Sequence, residues 1–598
     1  MDDLDDVNDV NDGASTVRPA VLLGHLGYGL GASKAVVAVL PDGRPPQRVE
    51  LLTADALVVR RLTAGPVQAV PGWRRGPFAR VELPQDLEPG RYAVRVVDGD
   101  GRRTVSDRFE VAEDRLQRET MSDVLAYFKA MRSSGEIDRK DRHAVLWGDD
   151  TRREVDARGG WLDASGDTSK FLNHLTYTRT MSPQQMPLCA WAMMAARDAI
   201  AERHSALVRS LGARLRDEAL WGADFLVRFR APEGYFYTGI FDALTKKLDE
   251  RVVTAPLAEC VRTDRYQAAY RQGGGLAIAA LARAATLDDH GDFTGPEYLS
   301  AAVQGFVHLE AHNLEYLDDG TESIVDDYTA LLAATELVAA GADGENGAPE
   351  TGAREAASRR VRSLLTRYVR PPDGPGWFTG DAAGRPFFHA AEAGLPVLAL
   401  TRFATVLPGS PEAGPARALA LEAMLDTLRR THAVPNPFGY PRQRVQPAGE
   451  SAEDAFFFPH ANETGYWWQG ENATIASLAA AASACAALDG VAEDDRARLG
   501  AFADDQLAWI TGRNPFDASM IQGRGRNNVD YASDFPNIPG GIVNGITSGW
   551  SDEVDIAFLP SDAPPGDAWR WAEQWIPHTG WFLLAVGSAR RRPRRPVF

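Results

Sequence analysis

The sequence predicts a two-part chain: a small antiparallel β-sandwich followed by an all-α toroid or solenoid. Three observations carry this. At 598 residues the chain is too long for one ordinary core. Residues from about 17 to 112 form short β-branched or alternating runs separated by Gly, Pro and Asp clusters. Near Asp114 that texture gives way to helical periodicity and does not return.

The strand candidates come in order as "AVVAVL", "RVELLT", "FARVELP", "RYAVRVV" and "DRFEVA", at the spacing of a sandwich. "MSDVLAYFKAMR" is the first amphipathic helical run. About twelve helices are expected, beginning near Thr120, Leu188, Leu211, Gly273, Glu297, Ile324, Arg354, His389, Arg417, Glu471, Asp494 and Ala568. "GGGLAIAALARAA" and "ATIASLAAAASACAAL" are apolar on nearly all faces, which places them inside a shell of other helices. The expected organisation is an acidic disordered tail at 1–16, the sandwich at 17–113, a helical region at 114–590 and a basic tail at 591–598.

Two long Gly/Pro-rich stretches interrupt the helices, one ending in "NETGYWWQG" and one containing "GRGRNNVDYASDFPN". Loops of that length inside a compact domain are usually functional. Their aromatic and amide side chains suit a sugar-binding cleft, and packing aromatics would look much the same.

A formal net charge of -18 repels nucleic acid and anionic membranes, so neither is an expected partner. Cys189, Cys260 and Cys485 lie far apart, give no disulfide or zinc spacing, and are expected as buried thiols. The start "MDDLDDVNDVNDGAST" has neither a basic opening nor an apolar run, and taken literally it describes a cytoplasmic protein. Neither a phosphate loop nor a dinucleotide fingerprint is present, and no cofactor is expected. His308 and His312 flank Glu310, but Leu309 stands where a zinc-protease helix needs Glu. That acidic stretch reads first as a solvated helix end, with a structural calcium on Asp318, Asp319 or Glu322 as the alternative.

The sharpest local feature is "RGGWLDASGDTSKFLNHL", which sets Asp163 and Asp167 four apart on a turning backbone. Alone, such a pair reads as turn and cap residues. Its context changes that reading. "GGWLDASGDTSKF" resembles the first signature of glycoside hydrolase family nine, with one additional residue between the aspartates. "GHLGYGLGASKAVV", "NPFGYP", "WWQGENATIASLAAAA", "WITGRNPFDASMIQGRG", "PGGIVNGITSGWSDEVDIAF" and "AEQWIPHTGWFLLAVGSA" are similar, in order, to later parts of that family.

The resemblance implies an immunoglobulin-like sandwich ahead of an (α/α)6 barrel. It implies an inverting hydrolase of cellulase or endoglucanase type acting on β-linked glucan or related oligosaccharides. The base falls on Asp167, its water-holding partner on Asp163, and the acid on Glu573 in the last helix. Departures stand beside this: Ala572 replaces the asparagine before the acid, and "RGRNNVDYASDFPN" lacks the family's histidines. Trp161, Tyr466, Trp468, Glu471, Asn527, Tyr531 and His578 are the expected substrate-binding residues. Glu463 competes for substrate contact, Glu553 and Asp555 are rival acids, and Asp326, Asp327 and Tyr328 are read as cleft-edge or structural.

The chemistry needs one carboxylic acid to protonate the leaving oxygen and one carboxylate to activate water. Glu573 must therefore stay protonated near neutral pH, among apolar neighbours such as Trp571, Trp575 and Trp581. Two rival readings remain at this level: a polysaccharide lyase recruiting Tyr531 and Asn527, and a glycan-binding relative without turnover.

Overall fold

The computed structural model describes residues 18–203, 205–343, 351–531 and 536–589. The expected tails at 1–16 and 591–598 lie outside the described residues. Nine strands open the chain: β1 (Ala20–Leu22), β2 (Tyr28–Gly29), β3 (Ala35–Val39), β4 (Arg48–Thr53), β5 (Val58–Leu62), β6 (Phe78–Glu82), β7 (Gly90–Val97), β8 (Arg103–Val105) and β9 (Phe109–Ala112). One sheet runs β1-β3-β6. The other runs β2-β9-β7-β4-β5, with β8 also on β7, and only the β2–β9 pair is parallel.

β3 shows why its sequence is apolar throughout. Val36 and Ala38 join the core between the two sheets, whereas Val37 and Val39 face the other way into the helical core. A strand covered on both faces loses the polar alternation of a half-exposed one. Trp73 continues that contact, packed among Phe438, Phe456, Phe457 and Trp509.

Fourteen helices follow among the described residues: α1 (Arg115–Met131), α2 (Gly135–Asp141), α3 (Met186–Arg203), α4 (Ser205–Arg228), α5 (Gly274–Ala284), α6 (Gly295–His312), α7 (Ile324–Ala339), α8 (Ala353–Arg367), α9 (Leu395–Val406), α10 (Ala413–Thr431), α11 (Asn472–Ala486), α12 (Glu493–Ile510), α13 (Trp569–Ala572) and α14 (Ile576–Ser588). Packing runs from α3 to α5, α7, α9, α11 and α14 and back to α3. α5, α7, α9 and α11 are buried on nearly every face, as their Ala- and Leu-rich sequences require. α4, α6, α8, α10 and α12 lie against this series from outside.

Three expectations need correcting. The helix placed near His389 starts at Leu395, where Pro396 suits the first turn and leaves residues 389–394 as loop. Short antiparallel ladders occur between the helices, including Lys170–Phe171 with Gly239–Phe241 and Val252–Val253. The final helix is broken in two, and the break falls on Glu573.

Candidate active site

The aspartate turn is a hairpin closed by two residues. The Ala164 N–H donates to Asp167 O (3.3 Å) and the Asp167 N–H to Ala164 O (3.2 Å), so Ser165 and Gly166 form the loop. The additional residue of the motif is thus accommodated in the turn, and Ser165 is put to use. Its Oγ donates to Asn537 Oδ1 (3.0 Å) and accepts from the Gln574 N–H (3.0 Å). Beneath the hairpin, Lys170 and Arg251 share buried Asp141. Lys170 Nζ also donates to Gly159 O (3.0 Å), and Arg251 Nη1 to Thr168 O (2.9 Å).

The second half of the site comes from the far end of the chain. Glu573 follows α13 in extended conformation (φ -73°, ψ 140°), and Trp575 is extended as well. Pro577 explains the break. In a continuous helix its ring would collide with the carbonyl four residues back, and that carbonyl belongs to Glu573. The expectation that Glu573 sits within the last helix is therefore corrected: it stands on a short extended segment between two helices.

That segment is held from both sides. The Ser165 N–H donates to Gln574 O (2.9 Å) and the Ile576 N–H to Asp163 O (3.2 Å), and on the opposite edge the Asn544 N–H donates to Glu573 O (2.7 Å). Backbone bridges pair Ala164 with Trp575 and Val543 with Gln574. Residues roughly 400 apart in sequence are thereby fixed by main-chain bonds. A Cβ on Gly166 would lie 2.8 Å from Glu573 Oε1 and 3.0 Å from Tyr531 Oη, so only glycine fits against the acid.

Three carboxyl groups now share one small space. Burial, with the Asp167 charge adding to it, pushes Glu573 up to about 8, against a lowering N–H from Gly166. Burial also raises Asp163, the most enclosed of the three, and the Asp167 and Glu573 charges raise it further. Its Oδ1 accepts from Gln185 Nε2 (2.6 Å) and Trp575 Nε1 (3.2 Å). Asp167 is raised by burial but opposed by the Ser169 N–H on its Oδ1 (2.8 Å) and by the Arg251 charge, with Asp242 pushing upward. Like charges buried beside one another do not all ionise. Of the three, Asp167 has the backbone and cationic support to carry the negative charge, and Glu573 holds its proton through neutral pH.

The other expected site residues divide. Half-buried Tyr531 belongs to the site, its phenol raised by burial and by the charges of Glu573 and Asp167. Tyr466 is 41% exposed, whereas Trp468 is corrected: it is buried, its ring stacked on His460 (3.6 Å between centroids) beneath the Arg570 guanidinium. Trp161 is corrected: it is fully buried, donates its indole N–H to Glu218 (2.8 Å) and presents no face to a groove. His578 is likewise buried, with Nε2 2.8 Å from Asn544 Oδ1. Glu471 is enclosed, accepts from the Phe458 N–H (3.1 Å) and is raised to about 8 by burial. Asn527 turns its Nδ2 onto Asp517 O (2.8 Å). His578 and Glu471 are structural here, because burial and internal partners occupy the groups that would meet a sugar, whereas Asn527 stays exposed.

The remaining acids are also accounted for. Glu463 bonds to Thr180 and Arg385, Glu553 to the His460 N–H, and Asp555 to the Arg74 N–H. Asp318 pairs with Arg265, Asp319 with Arg179 and Arg271, and Glu322 with Arg360, so arginines neutralise the acids considered for calcium. Asp326 and Asp327 are buried against Arg271, Arg360 and Arg367. Cys189 and Cys485 are buried as expected, whereas Cys260 is half-exposed. Sequence reasoning missed His174, Gln185 and Asp242, which meet the aspartates only in three dimensions. It also missed Gln574, although Pro577 signalled the extended segment that carries it.

Comparison with known proteins gives the family. Residues 118–534 match the model of Glycosyl hydrolase family 9, a match that stops before Glu573. A search of curated proteins returns no match. Among solved structures, a metagenome-derived glycoside hydrolase family 9 endoglucanase is similar with a TM-score of 0.64 and 18% identity, covering 95% of this chain and 98% of that one. A single mutant of a thermostable endoglucanase from Alicyclobacillus acidocaldarius gives 0.62 and 15%, covering 95% and 99%. A Bacteroides ovatus GH9 structure gives 0.61 and 16%, covering 95% and 98%. The chain belongs to glycosyl hydrolase family 9 and is a glycosidase, a small sheet-rich N-terminal region joined to a helical catalytic region.

Proposed function

We propose that this protein is an inverting β-glycosidase of cellulase or endoglucanase type, cleaving β-linked glucan or related oligosaccharides. The observation that carries this is the backbone lock between the Asp163–Asp167 hairpin and the Glu573–Trp575 segment. Asp167 takes a proton from a water that Asp163 helps to orient. The water oxygen attacks the anomeric carbon, the glycosidic C–O bond breaks, and Glu573 gives its proton to the departing oxygen. An inverting pair needs room for that water, roughly 6.5–9.5 Å between carboxyl groups. Tyr466 supplies a ring face for a neighbouring sugar.

In this reading the helical region is an (α/α)6 toroid, supported by the cyclic packing order α3, α5, α7, α9, α11 and α14. The N-terminal region is an immunoglobulin-like sandwich, supported by its two facing sheets. Family membership argues against the lyase reading, and so does the crowding of carboxylates, which would repel a uronate.

The test is a hydrolysis screen over defined β-linked gluco-oligosaccharides and aryl β-glycosides, with NMR identifying the anomer first released. The expected result is cleavage with the α-anomer appearing first. First release of the β-anomer would exclude inversion, and inertness toward the whole panel would exclude the substrate class.

A further inference from the structure

His174 closes one side of the aspartate pair. Its ring lies between Phe171 (5.2 Å between centroids) and Trp575 (6.2 Å, edge-on), the tryptophan whose indole N–H holds Asp163. Nδ1 is 3.0 Å from Gln185 Nε2 and 3.9 Å from Asp163 Oδ2.

The Gln185 amide decides what this imidazole can do. Its Nε2 donates an N–H to Asp163 Oδ1 (2.6 Å). The same nitrogen meets His174 Nδ1, so Nδ1 accepts and the ring proton belongs on Nε2. Burial holds the imidazole down to about 4, which keeps it neutral through the working range. The His174 side chain keeps 19% of its surface open, and Nε2 makes no hydrogen bond among the described residues.

We propose that His174 is a substrate-binding residue whose Nε2–H donates to a hydroxyl oxygen of the sugar bearing the bond to be broken. The assignment rests on the glycosidase reading above and adds to it a specific donor beside the water-holding carboxylates. Gln185 makes the two ends one unit, since the amide that orients Asp163 also sets the tautomer of His174. A sugar lacking the contacted hydroxyl would leave that half-buried donor without a partner, at a cost in binding.

The experiment compares wild type, His174→Ala and His174→Asn on an aryl β-cellobioside and on analogues deoxygenated at single positions of the reacting sugar. His174→Ala is expected to lower kcat/KM roughly 10- to 100-fold on the parent glycoside, with its thermal midpoint unchanged. One deoxy analogue should lose a similar factor with wild type and nothing further with the variant. In parallel, 15N NMR of wild type should show His174 as the Nε2–H tautomer and a shift of that signal on adding a non-hydrolysable thio-linked β-gluco-oligosaccharide. Additive losses at every position, an Nδ1–H tautomer, or a His174→Ala enzyme within twofold of wild type would overturn the assignment while leaving the glycosidase standing. Wild type inert toward all these glycosides would overturn the underlying reading instead.

Discussion

Two sets of buried carboxylates divide the helical region. Asp141, Glu336 and Asp505 each sit between two cations: Lys170 and Arg251, Arg283 and Arg402, Arg80 and Arg513. Burial pushes all three up, yet the cations win and hold them below the ordinary carboxylate range. Asp163 and Glu573 feel the charges of neighbouring carboxylates, Asp167 feels Asp242 against Arg251, and burial leads in raising all three. Burial alone therefore does not mark a functional acid. The partner does, because an ion pair spends the charge on holding the fold whereas a like-charged neighbour stores a proton for chemistry.

The signs with pH follow. Glu573 has a folded value near 8 against an ordinary 4.5, so its contribution to stability is complete below 4.5 and is lost as pH rises toward 8. The arginine-paired acids act in reverse: their contribution is present above the ordinary carboxylate value and is lost as pH falls through their lowered values.

The contrast can be broken most severely at the acid. Glu573→Gln should lower kcat by about 10²–10⁴-fold in steady-state assays, with a thermal midpoint no lower than wild type. Asp505→Ala should do the opposite. It strands Arg80 and Arg513, and unfolding by denaturant should show a loss of about 3–5 kcal/mol with activity per folded molecule retained. Gly166→Ala should reduce kcat about 10²-fold without moving the thermal midpoint, because the new methyl displaces the Glu573 carboxyl.

The smallest effect sharpens the contrast from a third side. Glu392, like Glu471, is raised to about 8 by burial, but its partners are neutral donors: the Tyr328 hydroxyl (2.5 Å) and the Gln184 N–H (2.7 Å). Glu392→Gln and Glu471→Gln should each change unfolding free energy by under about 1 kcal/mol at neutral pH, since neither removes a charge.

How far residues alone reached depends on the element. The Gly-Gly-Trp-Leu-Asp stretch and the helical periodicity of α1 and of α3 to α12 were legible because local sequence specifies a tight turn and an apolar face, whereas the short polar α2 was not. Glu573 could be singled out by motif order, but its setting was misread: the apolar run after Ala568 looks helical throughout, and only Pro577 marks the interruption. Trp161 and His578 read as cleft residues because aromatic type does not distinguish a stacking face from a core position. His174 and Gln185 carry no pattern at all, since their relation to Asp163 is made by the way the chain after the hairpin folds back.

The pH dependence of kcat/KM on a defined β-gluco-oligosaccharide, for wild type and Glu573→Gln, bears most directly on the proton held between Glu573 and the aspartate hairpin. Wild type should lose activity on the basic side near pH 8, and the variant should show only residual turnover without that limb. An unchanged basic limb in the variant, or turnover at the wild-type rate, would contradict the account.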